Sequence, residues 1–176
     1  MKKIVFLVIF VLGLSGCMQT GILGKNSYLV VPDKINFDNE IYYSTGEKAL
    51  DTYSYTVFLK QNEELENATE TMRIFIGDIK NGENFEQMLQ RKIKNGIEIE
   101  KLSQNKAIEI DIYEPKEKYK NYQLDIDILE DKKCGLATVS YTHFFDKNTA
   151  KNEILKFAKD KKSKLIQSVP KLFCSN

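Results

Sequence analysis

The sequence predicts an α+β domain in which an antiparallel sheet carries two main helices packed mainly on one face. Three observations lead there. Short segments of apolar/polar alternation recur between Asp51 and Phe145, the period of half-buried strands. Two stretches, near 84–95 and 147–167, instead space their apolar residues as a helix does. With 176 residues, 42% of them apolar and 10 Phe with 9 Tyr among them, the chain can bury one sizeable core and is too short for two full domains.

Taken in order, Tyr28 to Val31 is apolar until Pro32 interrupts it, and Ile35, Phe37 and Ile41 follow with partial alternation. Tyr53, Tyr55, Val57 and Leu59 share one face of a strand over 51–60, and the polar run Gln61 to Glu70 reads as a connecting loop. Met72, Ile74 and Ile76 form the next strand. Asn84 with Gln87 three residues on makes a capping box, Phe85, Met88, Leu89 and Ile93 give an apolar stripe, and Gly96 suits the position just past a helix end. Strands follow at Ile97–Glu100, Ile108–Ile112, Leu124–Ile128 and Leu136–Phe145. The last element is a helix capped by Asp146 or Thr149, with Ala150, Ile154, Phe157, Ala158 and Leu165 near one face and Lys161 breaking the stripe.

Charge alternation bears on how the sheet is covered. If the three isoleucine/acid strands are neighbours, Glu98, Glu100, Glu109, Asp111, Asp125 and Asp127 lie on one face. Six carboxylates cannot be buried without partners, so that face is expected to be wet, with the helices on the isoleucine side. From Glu98 to Asp131 the net charge is −5, and from Lys147 to Lys164 it is +5. Both blocks read first as solvated surface. The six acids are also a candidate surface for a basic partner, and the basic helix a candidate for contact with anionic lipid headgroups.

Several function classes find little material. A formal net charge of +1 argues against nucleic acid as a partner, and a single His with three Cys leaves almost no ligands for a metal centre. His143 is the one imidazole, read as lying at an edge or hairpin end; Ser140 lies three residues before it on the same strand, hence on the opposite face. There is no phosphate-binding glycine loop, no G-x-S-x-G elbow and no D-x-D-x-D-G calcium loop. The reading is therefore of no catalytic residues, no metal site and no cofactor.

The N-terminus is more specific. Lys2 and Lys3 precede an apolar run, Ile4 to Leu12, about half the length that spans a bilayer, followed by Leu14-Ser15-Gly16-Cys17. This resembles the lipobox of bacterial lipoproteins. The resemblance implies a leader over 1–16, an acylated Cys17 with a tether to residue 27, and a single domain over 28–176. Two or three acyl chains, at about 0.8 kcal/mol per buried CH₂, hold where one does not. Removal of 1–16 takes away Lys2 and Lys3 and leaves a formal charge of −1. Cys134 and Cys174 then remain, an even pair in an exported chain and a disulfide candidate, with two free thiols as the alternative. Met18, where many inner-membrane lipoproteins of diderms carry Asp, points to the outer membrane if the organism is a diderm.

The domain also resembles the PsbP-like group, which includes DcrB-like lipoproteins. The likeness lies in element order and in Asn84–Leu89, Ser140–Phe145 and Ile154–Phe157. It implies an accessory or binding role in the cell envelope without catalytic residues, and helices on both sheet faces, where the alternation predicts one wet face. The functional expectations are a scaffold, assembly or binding accessory with an envelope protein partner; a lipid or small-molecule carrier with a pocket between sheet and helices; and a hydrolase with a carboxylate site.

Overall fold

A computed structural model of the chain describes residues 28–50, 53–79, 82–116 and 120–175; the expected leader, Cys17 and tether lie outside these. The order of elements is β1 (Tyr28–Val30), β2 (Lys34–Phe37), β3 (Glu40–Ala49), β4 (Tyr53–Lys60), β5 (Glu70–Gly77), α1 (Phe85–Lys94), β6 (Glu98–Ser103), β7 (Lys106–Tyr113), β8 (Tyr122–Lys132), β9 (Gly135–Phe145), α2 (Lys151–Ser168) and β10 (Phe173–Ser175). Eight strands form one antiparallel sheet in the order β2-β3-β4-β5-β9-β8-β7-β6, and β1 pairs with β10 in a separate ribbon. The domain is α+β, with helices where the apolar spacing placed them.

Turn chemistry explains where the strand readings needed amendment. Ile35 to Ile41 is two strands, because Asp38 and Asn39 both adopt positive φ (52° and 66°) and reverse the chain between Phe37 and Glu40. Glu70, read as the end of a loop, is the first residue of β5. At the β8–β9 turn Gly135 has φ +128°, and a Cβ there would lie 2.7 Å from the carbonyl oxygen of Gly77, so the position requires glycine.

The capping box of α1 is present: Asn84 Oδ1 accepts from the Gln87 N–H at 2.9 Å, and Gln87 Oε1 accepts from the Asn84 N–H at 3.0 Å. Phe85, Met88 and Leu89 are buried, whereas Ile93, expected in the same stripe, is 46% exposed. Helix α2 begins differently from the expectation. Its N-cap is Ala150, without a side-chain cap, because the Asp146 carboxylate accepts from the Asn148 N–H in the preceding turn. Lys161, which interrupts the apolar stripe, lays its ammonium 5.2–5.5 Å from the ring centres of Phe37, Tyr141 and Phe157 and pairs with Asp38.

Strand register decides which helix covers which face. Ile108, Ile110, Ile126 and Ile128 point into the main core with Met72, Val139 and Tyr141, under Ile154, Ala158 and Leu165 of α2. Ala107 and Leu129, one residue out of phase, pack instead with Phe85, Met88 and Leu89 of α1. The helices therefore cover opposite faces. The expectation of helices mainly on one face is corrected, and with it the departure from the PsbP-like arrangement. The six acids divide as well. Glu98 stands opposite Ile110 and Glu100 opposite Ile108, so both lie on the isoleucine face, where the edge position of β6 leaves them exposed and Glu100 meets Lys162 at 2.7 Å. Glu109, Asp111, Asp125 and Asp127 keep to the other face.

Cys134, at the β8–β9 turn, and Cys174, in β10, form a disulfide with Cα atoms 5.8 Å apart across a separation of 40 residues. It closes a loop containing β9 and α2. The double substitution C134S/C174S is expected to lower unfolding free energy by about 4 kcal/mol through the regained freedom of the unfolded loop. Urea denaturation checks this, and a reductant should bring the unmodified protein to the same midpoint.

Candidate functional site

Two polar clusters occupy the two sheet faces. On the α1 face the register builds two cross-strand rows, Glu109–Asp127–Ser140–Arg73 and Asp111–Asp125–Thr142–Thr71. Four neighbouring strands, β7, β8, β9 and β5, alternating in phase produce these rows, while α1 covers only the part of the face around Ala107 and Leu129. The rows are partly satisfied from within. Ser140 donates to Asp127, Thr142 donates to Asp125 at 2.7 Å, Gln123 donates to Asp125 at 2.8 Å, and Lys92 of α1 reaches Glu109 Oε1 at 2.7 Å. The other Glu109 oxygen and the Thr71 hydroxyl are buried with no hydrogen-bond partner among the described residues.

Electrostatically the acids are short of cations. Burial, reinforced by the neighbouring Asp125 and Glu109 carboxylates and opposed by the Ser140 hydrogen bond, pushes Asp127 up to about 7. Burial likewise raises Asp125, against the hydrogen bonds from Thr142 and Gln123. Tyr113 is held above the ordinary phenol range by burial and by its bond to Asp111.

On the α2 face, Glu70 is the hub of a buried network. Tyr42 donates to its Oε1 at 2.9 Å and Tyr141 to its Oε2 at 2.6 Å, Lys60 pairs with Oε1, and His143 Nδ1 lies 3.4 Å from Oε2. The His143 hydrogen bond first, then Lys60, Tyr141 and Tyr42, hold the Glu70 carboxyl far below its usual range against the effect of burial. His143 is therefore not at an edge: it sits on β9, near the middle of the sheet, packed on Phe145 and Phe157 with ring centres 4.4 and 4.7 Å away. Nothing in the sequence singled out Glu70. Its hydroxyl partners lie 28 and 71 residues away, and only the folded register brings them together.

Ser140 and His143 face opposite sides of the sheet, each engaged by a different carboxylate, and the Cys134 sulfur is in the disulfide. No group of three or more His, Cys, Asp or Glu among the described residues is arranged to hold a metal ion. Among the described residues, grooves open to solvent beside α2 and beside α1. One, of about 470 Å³, lies between the β2–β3 turn and the end of α2, bordered by Asn36, Asp38, Asn39, Glu40 and Gln167. The other, of about 390 Å³, lies beside the start of α1, bordered by Asp78, Glu83, Asn84 and Asp131. Neither is an apolar chamber between sheet and helix. No helix among the described residues is long and apolar enough to cross a membrane.

Compared with known proteins, a protein-family model matches residues 29–172. No curated protein and no solved structure matches the chain.

The two clusters respond to pH with opposite sign. Asp127 binds its proton more tightly folded than unfolded, so its contribution to stability is full below about pH 4 and is lost as pH rises through about 7. Glu70 is the reverse: its contribution is present above the usual carboxylate pKa and is lost as pH falls through its depressed folded value. Asp127→Asn, whose amide oxygen can still accept from Ser140, is expected to flatten the neutral limb and to be more stable than the parent at pH 8 by roughly 2–4 kcal/mol. Chemical denaturation at pH 5 and pH 8 measures this. Glu70→Ala removes the acceptor of the buried Tyr42 hydroxyl and leaves Tyr141 only its contact with His143 Nδ1 at 3.2 Å, and should cost about 1–3 kcal/mol, read from the denaturation midpoint, with Glu70→Gln losing less.

Proposed function

The chain belongs to the family whose model spans residues 29–172, and we propose that it is a bacterial envelope lipoprotein, held on the membrane through acylated Cys17. Its domain acts as a non-enzymatic scaffold, assembly or binding accessory. The observation that carries this reading is the run Leu14-Ser15-Gly16-Cys17 behind a short basic and apolar leader. The Cys134–Cys174 disulfide supports it, because such a bond persists on an export route and is rare in a reducing cytosol.

Glu109, Asp111, Asp125 and Asp127 are the surface proposed for an envelope protein partner carrying basic side chains. Burial raises Asp125 and pushes Asp127 up to about 7, so an incoming ammonium or guanidinium would draw the proton from Asp127, and docking there would release protons and weaken with salt. The carrier reading has less support, since both grooves are open to solvent and mix charged and polar side chains with the apolar Phe37 and Ile41 in one and Ile79, Phe85 and Leu136 in the other. A hydrolase reading has one observation in its favour, the proton that Asp127 holds near neutral pH beside Glu109, but neither residue borders either groove.

Anchoring is tested by expressing the full chain and Cys17→Ser in a bacterium and weighing the products. The parent is expected to begin at Cys17 with diacylglyceryl and acyl additions and to fractionate with membrane; the variant should keep residues 1–16. A parent chain that retains its leader, or begins beyond Cys17, overturns the proposal.

A further inference from the structure

We propose that the β1–β10 ribbon and the outer side of α2 rest on the bilayer surface, with Val30 and Phe173 as the apolar contact; this rests on the Cys17 anchor proposed above. In the ribbon, Leu29 stands opposite Cys174 and Val30 opposite Phe173. Leu29 is buried in the main core and Cys174 is bonded to Cys134, so the two-residue alternation turns Val30 and Phe173 outward. Phe173 is 63% exposed, the most exposed large apolar side chain among the described residues, and Val30 is 47% exposed. Tyr28, on the same side, is 38% exposed. An aromatic and aliphatic cluster of this kind suits the boundary between headgroups and acyl chains.

Chain length indicates what covers it. Ten residues, 18–27, separate Cys17 from Tyr28, and eleven peptide steps reach at most about 40 Å. The lipid-bearing segment enters the domain at the ribbon itself, so the apolar cluster is the surface tied closest to the membrane. Charge agrees with this orientation. The ribbon and α2 contribute to the same core, through Leu29 and Leu172 on one side and Ile154, Ala158 and Leu165 on the other. On the outer side of α2, Leu155 is 41% exposed, and Lys156 and Lys159 are exposed. Lys151, Lys161, Lys162 and Lys164 are engaged by acids, whereas Lys156 and Lys159 make no ion pair among the described residues. Two such ammonium groups on the same helix as the exposed Leu155 fit anionic headgroups.

The chain contains no Trp, so a single introduced indole reports alone. Phe173→Trp and, as control on the opposite sheet face, Tyr113→Trp are prepared as full lipidated protein in vesicles of phosphatidylcholine and phosphatidylglycerol, with and without bromine on the acyl chains. The indole at position 173 is expected to shift to the blue and lose about half its emission to the bromines, the depth of an interfacial contact, while the control is unaffected. If the protein floats with the vesicles and position 173 is quenched no more than the control, this inference is overturned and the anchor stands. If the chain is not lipidated and does not float, anchor and inference fall together.

Discussion

The structure depends on the phase of side-chain alternation across β7, β8 and β9. Ile110 pairs with Ile126 and Ile126 with Tyr141, while Asp111 pairs with Asp125 and Asp125 with Thr142. A slip of one residue in any of these strands would send carboxylates beneath α2 and isoleucines to the acidic rows. The three strands are held in phase from both sides: a wide apolar core on one, and paired hydroxyls and carboxylates on the other. Everything else is arranged around that division.

The two helices show how local chemistry and global register divide the work. The Asn84–Gln87 box was legible because a capping box is a four-residue pattern whose partners are neighbours in sequence. The face that α1 covers was not legible from its own stripe. It follows from Ala107 and Leu129 being one step out of phase with Ile108 and Ile128 and large enough together to seat Phe85, Met88 and Leu89. The prediction of a single wet face treated the acids as the whole of that surface and gave too little weight to the small and apolar residues interleaved at its end. Glu98 and Glu100 were misassigned for a related reason: alternation sets which residues share a face within one strand but not the offset between strands, and the register shift between Lys101 and Ser103 moves both glutamates from the acid rows to the isoleucine face.

The polar hubs were less legible still. Glu70 is an ordinary residue at the end of a polar run, and its role arises from a fold that sets it opposite His143 and in an ion pair with Lys60. Lys161 looked like a defect in a helix stripe, yet its ammonium sits over three aromatic rings against Asp38. In both cases the sequence carries the residue type and the fold supplies the partner. The acid rows lie between these extremes. Asp111, Asp125 and Asp127 could be read as a group from spacing alone, whereas the unpaired Glu109 oxygen and Thr71 hydroxyl could not.

The ribbon also determines how the molecule would bear a mechanical load. Any pull on the chain before Tyr28 enters through a strand of three residues whose only ladder is with β10. By itself that short zipper would open one hydrogen bond at a time under modest tension. Because β10 is cross-linked at Cys174 to the turn between the two longest strands, tension that reaches β10 passes by a covalent route into the middle of the sheet, where it meets rows of bonds in shear. Helix α2, inside the cross-linked loop, is thereby shielded from being peeled away.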